Sequence, residues 1–220
     1  YFKWKNSKQT SKFIELKFYK CNKWCSNIVL KEQDAAYVDV TDNLTFLADN
    51  SFIWTSEKDG FNHIYHYDKN GKLKNQITKG DWEVTAYYGF DAKSSKVFYQ
   101  SVENGSVNRD VYSIDLKGEN KKRLTKETGT NGATFSPNFD YFINSFSSVT
   151  KAPVYTLNES KSGNEVKKIV SNESLENKLK EYNITPKEFY PIITEKGNKL
   201  NAWIIKPTDF NAKKKYPVLM

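Results

Sequence analysis

A serine hydrolase of the α/β type places its nucleophile in a Gly-x-Ser-x-Gly turn, and no serine in this 220-residue chain is flanked that way. The two histidines, His63 and His66, lie three apart in a strand-like run, which puts them on opposite faces and prevents them from acting together as base or ligands. They read as ordinary strand histidines. Paired carboxylates such as Asp81 and Glu83 flank Trp82 in a turn region and read as surface groups. Cys21 and Cys25 stand on either side of Asn22-Lys23-Trp24; across a three-residue hairpin loop they would face each other, either as a bridge in an oxidising compartment or as two free thiols. No second Cys or His pair completes a four-ligand metal set, and no phosphate-binding loop is present. These residues therefore assign no catalytic, cofactor-binding or metal-ligating position, and no cofactor is expected.

The elements that would have to position any chemistry are short strands. From Ser51 to Val84 the runs Phe52–Ser56, His63–Tyr67 and Lys74–Thr78 are rich in aromatic and β-branched residues and are separated by Lys58-Asp-Gly and Lys69-Asn-Gly. Asn70-Gly71 predicts a two-residue hairpin turn with positive φ at both central positions. The module recurs. Ile53, Phe98 and Phe142 mark its first strand at separations of 45 and 44 residues, and Tyr65, Tyr112 and Tyr155 mark its second at 47 and 43. Ile77, Leu124 and Ile169 close its third, and an earlier copy fits Tyr1–Lys5, Phe13–Lys20 and Asn27–Lys31. A period of 40–50 residues with several short strands per repeat is the signature of propeller blades.

The connectors supply the missing strand of each blade: Thr45-Phe-Leu, Thr85–Phe90 and Gly132–Ser136. The fold class expected is all-β, a partial β-propeller of about four four-stranded blades, with Trp82 and Phe135 packed between blades. After Ser171 the pattern changes. Asn172–Tyr182 carries apolar Leu175, Leu179 and Tyr182, an Asn in a capping position and i,i+4 Glu-to-Lys partners, which predicts a short amphipathic helix. Phe189–Thr194, Leu200–Lys206 and Tyr216–Met220 then read as strands of a second domain. The division is residues 1–171 for the blades, 172–187 for helix and linker, and 188–220 for the second domain.

Composition excludes some classes of partner. The chain has 34 basic and 26 acidic residues, a formal charge of +8, yet Arg109 and Arg123 are its only arginines, and base reading and bidentate phosphate recognition favour Arg. The lysines are spread along the chain, so no nucleic-acid partner is expected. Aromatics at 15 % are high, and a mean hydropathy of −0.74 reflects abundant lysine rather than missing core residues. No run approaches the ~18 apolar residues of a membrane span, and no signal peptide is present. Tyr1 begins and Met220 ends inside strand-like patterns, which reads as a fragment whose targeting segment lies upstream.

Trp54–Tyr65 (WTSEKDGFNHIY), Leu73–Val84, Ala133–Pro137, Ala152–Leu157, Leu200–Pro207 and Lys214–Met220 occur in an order and spacing that resembles bacterial dipeptidyl peptidase IV, of the prolyl oligopeptidase class of serine peptidases. The resemblance covers nearly the whole chain and is weakest over the first forty residues. It implies an eight-bladed propeller capping an α/β-hydrolase domain, of which this chain would hold the last blades and the first hydrolase strands. It implies release of Xaa-Pro or Xaa-Ala dipeptides from peptide N-termini, with the propeller restricting access, in a periplasmic or secreted parent. Partners implied are peptide substrates, the missing N-terminal blades and hydrolase domain, and a second copy in a homodimer. The family's triad and oxyanion loop follow the point where this chain ends and its amine-binding glutamates precede Tyr1, so no site residue carries over and the chain itself is expected to be inert. A stand-alone propeller scaffold, or an oligopeptidase or acylaminoacyl peptidase of the same architecture, are the alternatives; Leu200–Met220, which has no place in a propeller, speaks against the first.

Overall fold

The computed structural model describes residues 2–4, 13–20, 26–39, 41–182 and 184–219. Cys21 and Cys25 lie outside them. The chain runs β1 (Phe2–Trp4), β2 (Phe13–Lys20), β3 (Ser26–Gln33), β4 (Thr45–Phe46), β5 (Phe52–Ser56), β6 (His63–Tyr67), β7 (Leu73–Gln76), β8 (Val84–Asp91), β9 (Lys96–Ser101), β10 (Asp110–Asp115), β11 (Lys122–Arg123), β12 (Thr130–Phe135), β13 (Tyr141–Ser147), β14 (Val154–Glu159), β15 (Glu165–Val170), α1 (Glu173–Leu179), β16 (Glu188–Ile193) and β17 (Lys199–Ile204). Strands β4–β7, β8–β11 and β12–β15 form three antiparallel four-stranded sheets, and β1–β3 form a sheet of three described strands. Each sheet is an up-and-down meander, so the expected blades are present, with the connector strands in first position.

The alternation of side chains across each strand gives every inner sheet two apolar faces, and each face packs on a neighbouring blade. Leu16 of the first blade meets Phe52, Trp54, Tyr65 and Tyr67 of the second. On the opposite face of that second blade, Ile53 and Ile64 pack with Val97, Tyr99, Tyr112 and Ile114 of the third. Phe98 and Val111 then face Phe142 of the fourth. Trp82, in the link from β7 to β8, packs against the second seam, its ring stacked on Tyr99 (centroids 6.5 Å apart, 10° between planes) and edge-on to His63 at 4.9 Å. Phe135 packs against the third seam, 4.7 Å from Phe98 and 5.1 Å from Phe142.

The turn at Asn70-Gly71 differs from the expected two-residue type. Gly71 has φ +83°, but Asn70 does not have positive φ. The cause is Asp68, whose Oδ1 accepts from the backbone N–H of Asn70 at 2.8 Å and of Lys72 at 2.9 Å, which fixes a turn from Asp68 to Gly71 with only the glycine left-handed. The same turn recurs at Asp115–Gly118, where Asp115 Oδ1 accepts from Lys117 and Glu119 N–H, and in a looser form at Glu159–Gly163. All three glycines press on the preceding blade. A Cβ would lie 1.7 Å from Val29 O at Gly71, 2.8 Å from Ile77 O at Gly118 and 2.4 Å from Leu124 O at Gly163.

Beyond the blades, four expectations change. Asn172 occupies the N-cap position of α1 but its side chain does not cap; it adopts φ 56° and donates to Pro153 O at 2.5 Å, tying the helix to the last blade. Helix α1 is shorter than the expected span because its apolar residues Leu175, Leu179 and Tyr182 are exposed and find no face to pack on. Lys180 Nζ donates to Asn177 Oδ1 at 3.0 Å instead of pairing with Glu176. Strands β16 and β17 form the expected hairpin around Gly197, whereas residues 216–219 form no strand.

Two stability measurements test this packing. Trp82→Ala should lower the urea midpoint by an amount equivalent to about 3 kcal/mol, through lost burial and the cavity left between blades; an unchanged midpoint would place the ring outside the seam. Gly118→Ala should cost about 1–3 kcal/mol, since it adds left-handed strain to a contact with Ile77 O that has no room for a methyl. A loss below about 0.5 kcal/mol, the range of an ordinary surface change, would mean that this contact does not set the spacing of the blades.

Candidate functional site

A cleft of about 840 Å³ opens between the first and second blades, where residues 34–39 and 41–43 face the β5–β6 turn. Its lining is mostly polar and charged, with Tyr37 and Tyr67 as its aromatic members. Glu32 Oε1 accepts from Trp54 Nε1 at 3.1 Å, and burial raises the Glu32 pKa. Lys58 Nζ donates to Tyr67 Oη at 2.8 Å and lies 3.8 Å from the centre of the Tyr65 ring; burial lowers its pKa. Thr41 and Thr55 share a hydroxyl hydrogen bond of 3.0 Å, and Asn43 Nδ2 donates to Thr55 Oγ1 at 3.1 Å. Such a cleft can hold an extended polar chain. Among the described residues its lining contains no histidine or cysteine, and the Ser56 hydroxyl bonds to the Glu32 carboxylate.

One constellation that the sequence did not reveal does bring a serine, a histidine and an aspartate together. Ser51 Oγ lies 2.8 Å from His66 Nε2 and is hydrogen-bonded to Asp49 Oδ1. The order is wrong for catalysis, because in a working triad the carboxylate orients the histidine and the histidine takes the serine proton. Here the carboxylate takes the serine proton itself, which leaves Ser51 Oγ as acceptor and His66 Nε2 as donor. Ser51 is also buried, at 2 % exposure. The group is a turn lock: Asp49 also accepts from Ser51 N–H at 3.0 Å and pairs with Lys74 at 3.3 Å, and these bonds hold its pKa down at about 2. No spacing rule would have found it, since Ser51 and His66 meet only through the pairing of β5 with β6.

His63, as expected, does not cooperate with His66. Its Nε2 donates to Gly80 O at 3.0 Å and its Nδ1 lies 3.1 Å from Thr78 Oγ1, which in turn accepts from Ile64 N–H at 2.9 Å. The equivalent position one repeat later is Asp110, 1 % exposed. Its Oδ1 accepts from Arg123 at 2.9 Å, Thr125 at 3.0 Å and Asn131 of the next blade at 3.2 Å, and Val111 N–H donates to Thr125 Oγ1 at 3.2 Å. A buried carboxylate is tolerated when it is bonded in this way. Both arginines are thus structural, Arg109 Nη1 donating to the carbonyls of Ser106 and Asn108. Asp81 and Glu83 are exposed in the link that carries Trp82. Among the described residues no group of three or more His, Cys, Asp or Glu could hold a metal, and no helix is long and apolar enough to cross a membrane.

A repeated four-stranded meander with blade faces joined by aromatic seams defines a propeller segment. Residues 1–153 match the family described as the dipeptidyl peptidase IV (DPP IV) N-terminal region, and the chain belongs to that family. It is 32 % identical over 201 residues to dipeptidyl peptidase 4 of Trichophyton equinum, and 34 % over 172 residues to that of Arthroderma otae. These matches cover 87 % and 76 % of the chain but 26 % and 22 % of the relatives, so the chain spans about a quarter of their length. The crystal structure of Porphyromonas gingivalis dipeptidyl peptidase 4 overlays on 94 % of the chain with a TM-score of 0.88 at 40 % identity, using 29 % of that protein.

His66 gives the site a pH test. Burial, then Lys74, depresses its pKa, so folding favours the neutral ring; the stability it contributes is present above the ordinary value of 6.5 and is lost as pH falls through the depressed folded value. Thermal melts from pH 7.5 to 5 should show the wild type losing stability relative to His66→Gln. Parallel profiles would mean that the ring is solvated and that the lock is not formed.

Proposed function

We propose that this chain is the C-terminal part of the propeller, with re-entry into the catalytic domain, of a dipeptidyl peptidase IV-like serine exopeptidase that releases Xaa-Pro or Xaa-Ala dipeptides from peptide N-termini. The observation that carries the reading is the family match over residues 1–153 together with the overlay on a solved dipeptidyl peptidase 4. Residues 1–171 are the blades, 172–187 the helix and linker, and 188–220 the opening of an α/β-hydrolase domain. The β16–β17 hairpin supports this division: it pairs only with itself, and it exposes Phe189, Ile193, Leu200 and Trp203, a surface suited to burial against further chain. In the parent the blades restrict entry, admitting peptides and excluding folded proteins. A periplasmic or secreted location and a homodimeric parent belong to the same reading.

This division of labour has a direct test. The chain alone should not hydrolyse Gly-Pro or Ala-Pro chromogenic substrates, because it has neither an activated nucleophile nor oxyanion donors. The parent should hydrolyse them and lose activity to a serine-reactive inhibitor, and its reading frame should encode a Gly-x-Ser-x-Gly turn downstream. Inhibitor-sensitive turnover by the chain alone, or a parent without that turn, would overturn the proposal.

A further inference from the structure

The net charge of the chain is concentrated on its outer rim. The outermost strands β7, β11 and β15, with the turns that lead into and out of them, span residues 68–80, 116–127 and 159–170; these hold twelve basic and five acidic side chains, a net +7 against +8 for all 220 residues. The rest of the chain is therefore close to neutral. The three segments are physically continuous. Asn75 Nδ2 of the second blade donates to Leu116 O of the third at 2.8 Å, and Lys122 Nζ and Lys126 Nζ of the third donate to Lys161 O and Asn164 Oδ1 of the fourth at 2.9 and 3.1 Å. Lys74, Lys121 and Arg123 are answered by Asp49, Glu103 and Asp110. By contrast Lys72, Lys79, Lys117 and Lys161 are exposed and form no ion pair among the described residues.

Lysines on outer strands guard sheet edges against pairing with other chains, but Lys72, Lys79, Lys117 and Lys161 lie in the turns beside those strands rather than on them. An excess of one sign along one continuous face creates a field that attracts an extended anion. We propose that this rim binds a linear acidic polysaccharide. Lysines act as separate hydrated point charges, which suits a polymer of spaced carboxylate or sulfate groups, whereas bidentate phosphate recognition calls on arginine. Single-stranded nucleic acid needs aromatic rings on which to stack its bases, and the three rim segments contain none.

The probe is heparin, as a linear sulfated polysaccharide, titrated into the full chain at 50 and 200 mM salt. The wild type should bind with a marked salt dependence, and the variant K72Q/K117Q/K161Q/K79Q should bind about tenfold more weakly at the lower salt, through lost counterion release. A control with the same loss of charge off the rim, K178Q/K213Q/K214Q/K215Q, should stay within about threefold of the wild type. Absence of heparin binding, or equal weakening in the two variants, overturns the proposal, the latter by assigning binding to net charge alone. Tighter binding to poly(U) RNA or to phosphatidylglycerol vesicles than to heparin overturns it in favour of that other class. Because no arm reads peptidase activity, the result is independent of the catalytic reading of the parent.

Discussion

The contact on which the blades depend is that of a glycine Cα with the backbone carbonyl of the blade before it. At Gly71, Gly118 and Gly163 the turn into the outer strand brings its backbone against Val29, Ile77 and Leu124, closer than any side chain would permit. The turn needs the left-handed φ that glycine adopts freely, and the seam needs the space that a missing Cβ leaves. One residue type satisfies both demands. The carboxylates of Asp68 and Asp115 hold two of these turns in shape, so local hydrogen bonding fixes the point at which one sheet touches the next.

With that spacing fixed, the seams can be filled by large rings. Trp82 on Tyr99, and Phe135 among Phe98, Phe139 and Phe142, occupy gaps that aliphatic side chains would leave partly empty. Close packing of this kind makes each blade's stability depend on its neighbours, as in other repeat architectures. The last described blade shows the consequence. Tyr141, Ile143 and Tyr155 on its strands remain exposed, whereas their counterparts in inner blades are covered.

Much of this was legible in the sequence, for a physical reason: a period-2 pattern of aromatic and β-branched residues repeated every 43–47 residues leaves few architectures open. Strands β5 and β6 fall where the pattern puts them, and even the first blade, with its less regular sequence, has strands at the expected places. Turn geometry was less legible. Asn70-Gly71 satisfies the rule for a two-residue turn, but Asp68 outcompetes it with two side-chain bonds, a choice that depends on register rather than on the dipeptide. The capping role of Asn172 failed in the same way, because Pro153 O offered its side chain a partner nineteen residues away in sequence.

The polar residues that looked most like chemistry have other work, and the repeat explains why. His63 and Asp110 occupy equivalent positions at the head of β6 and β10, and each is joined to an equivalent threonine, Thr78 or Thr125, whose hydroxyl accepts the next backbone N–H. From there each reaches toward the chain leaving its blade: His63 to Gly80 O, Asp110 to Asn131. A histidine and an aspartate can exchange at one position only if the role is to close a hydrogen-bond circuit, since as acid, base or ligand they are not interchangeable. The polar groups at these two positions are thus consumed in joining one repeat to the next. His63 and Asp110 are thereby held in the framework, and the cleft between the first two blades, lined mostly by polar side chains, is left as a surface for binding.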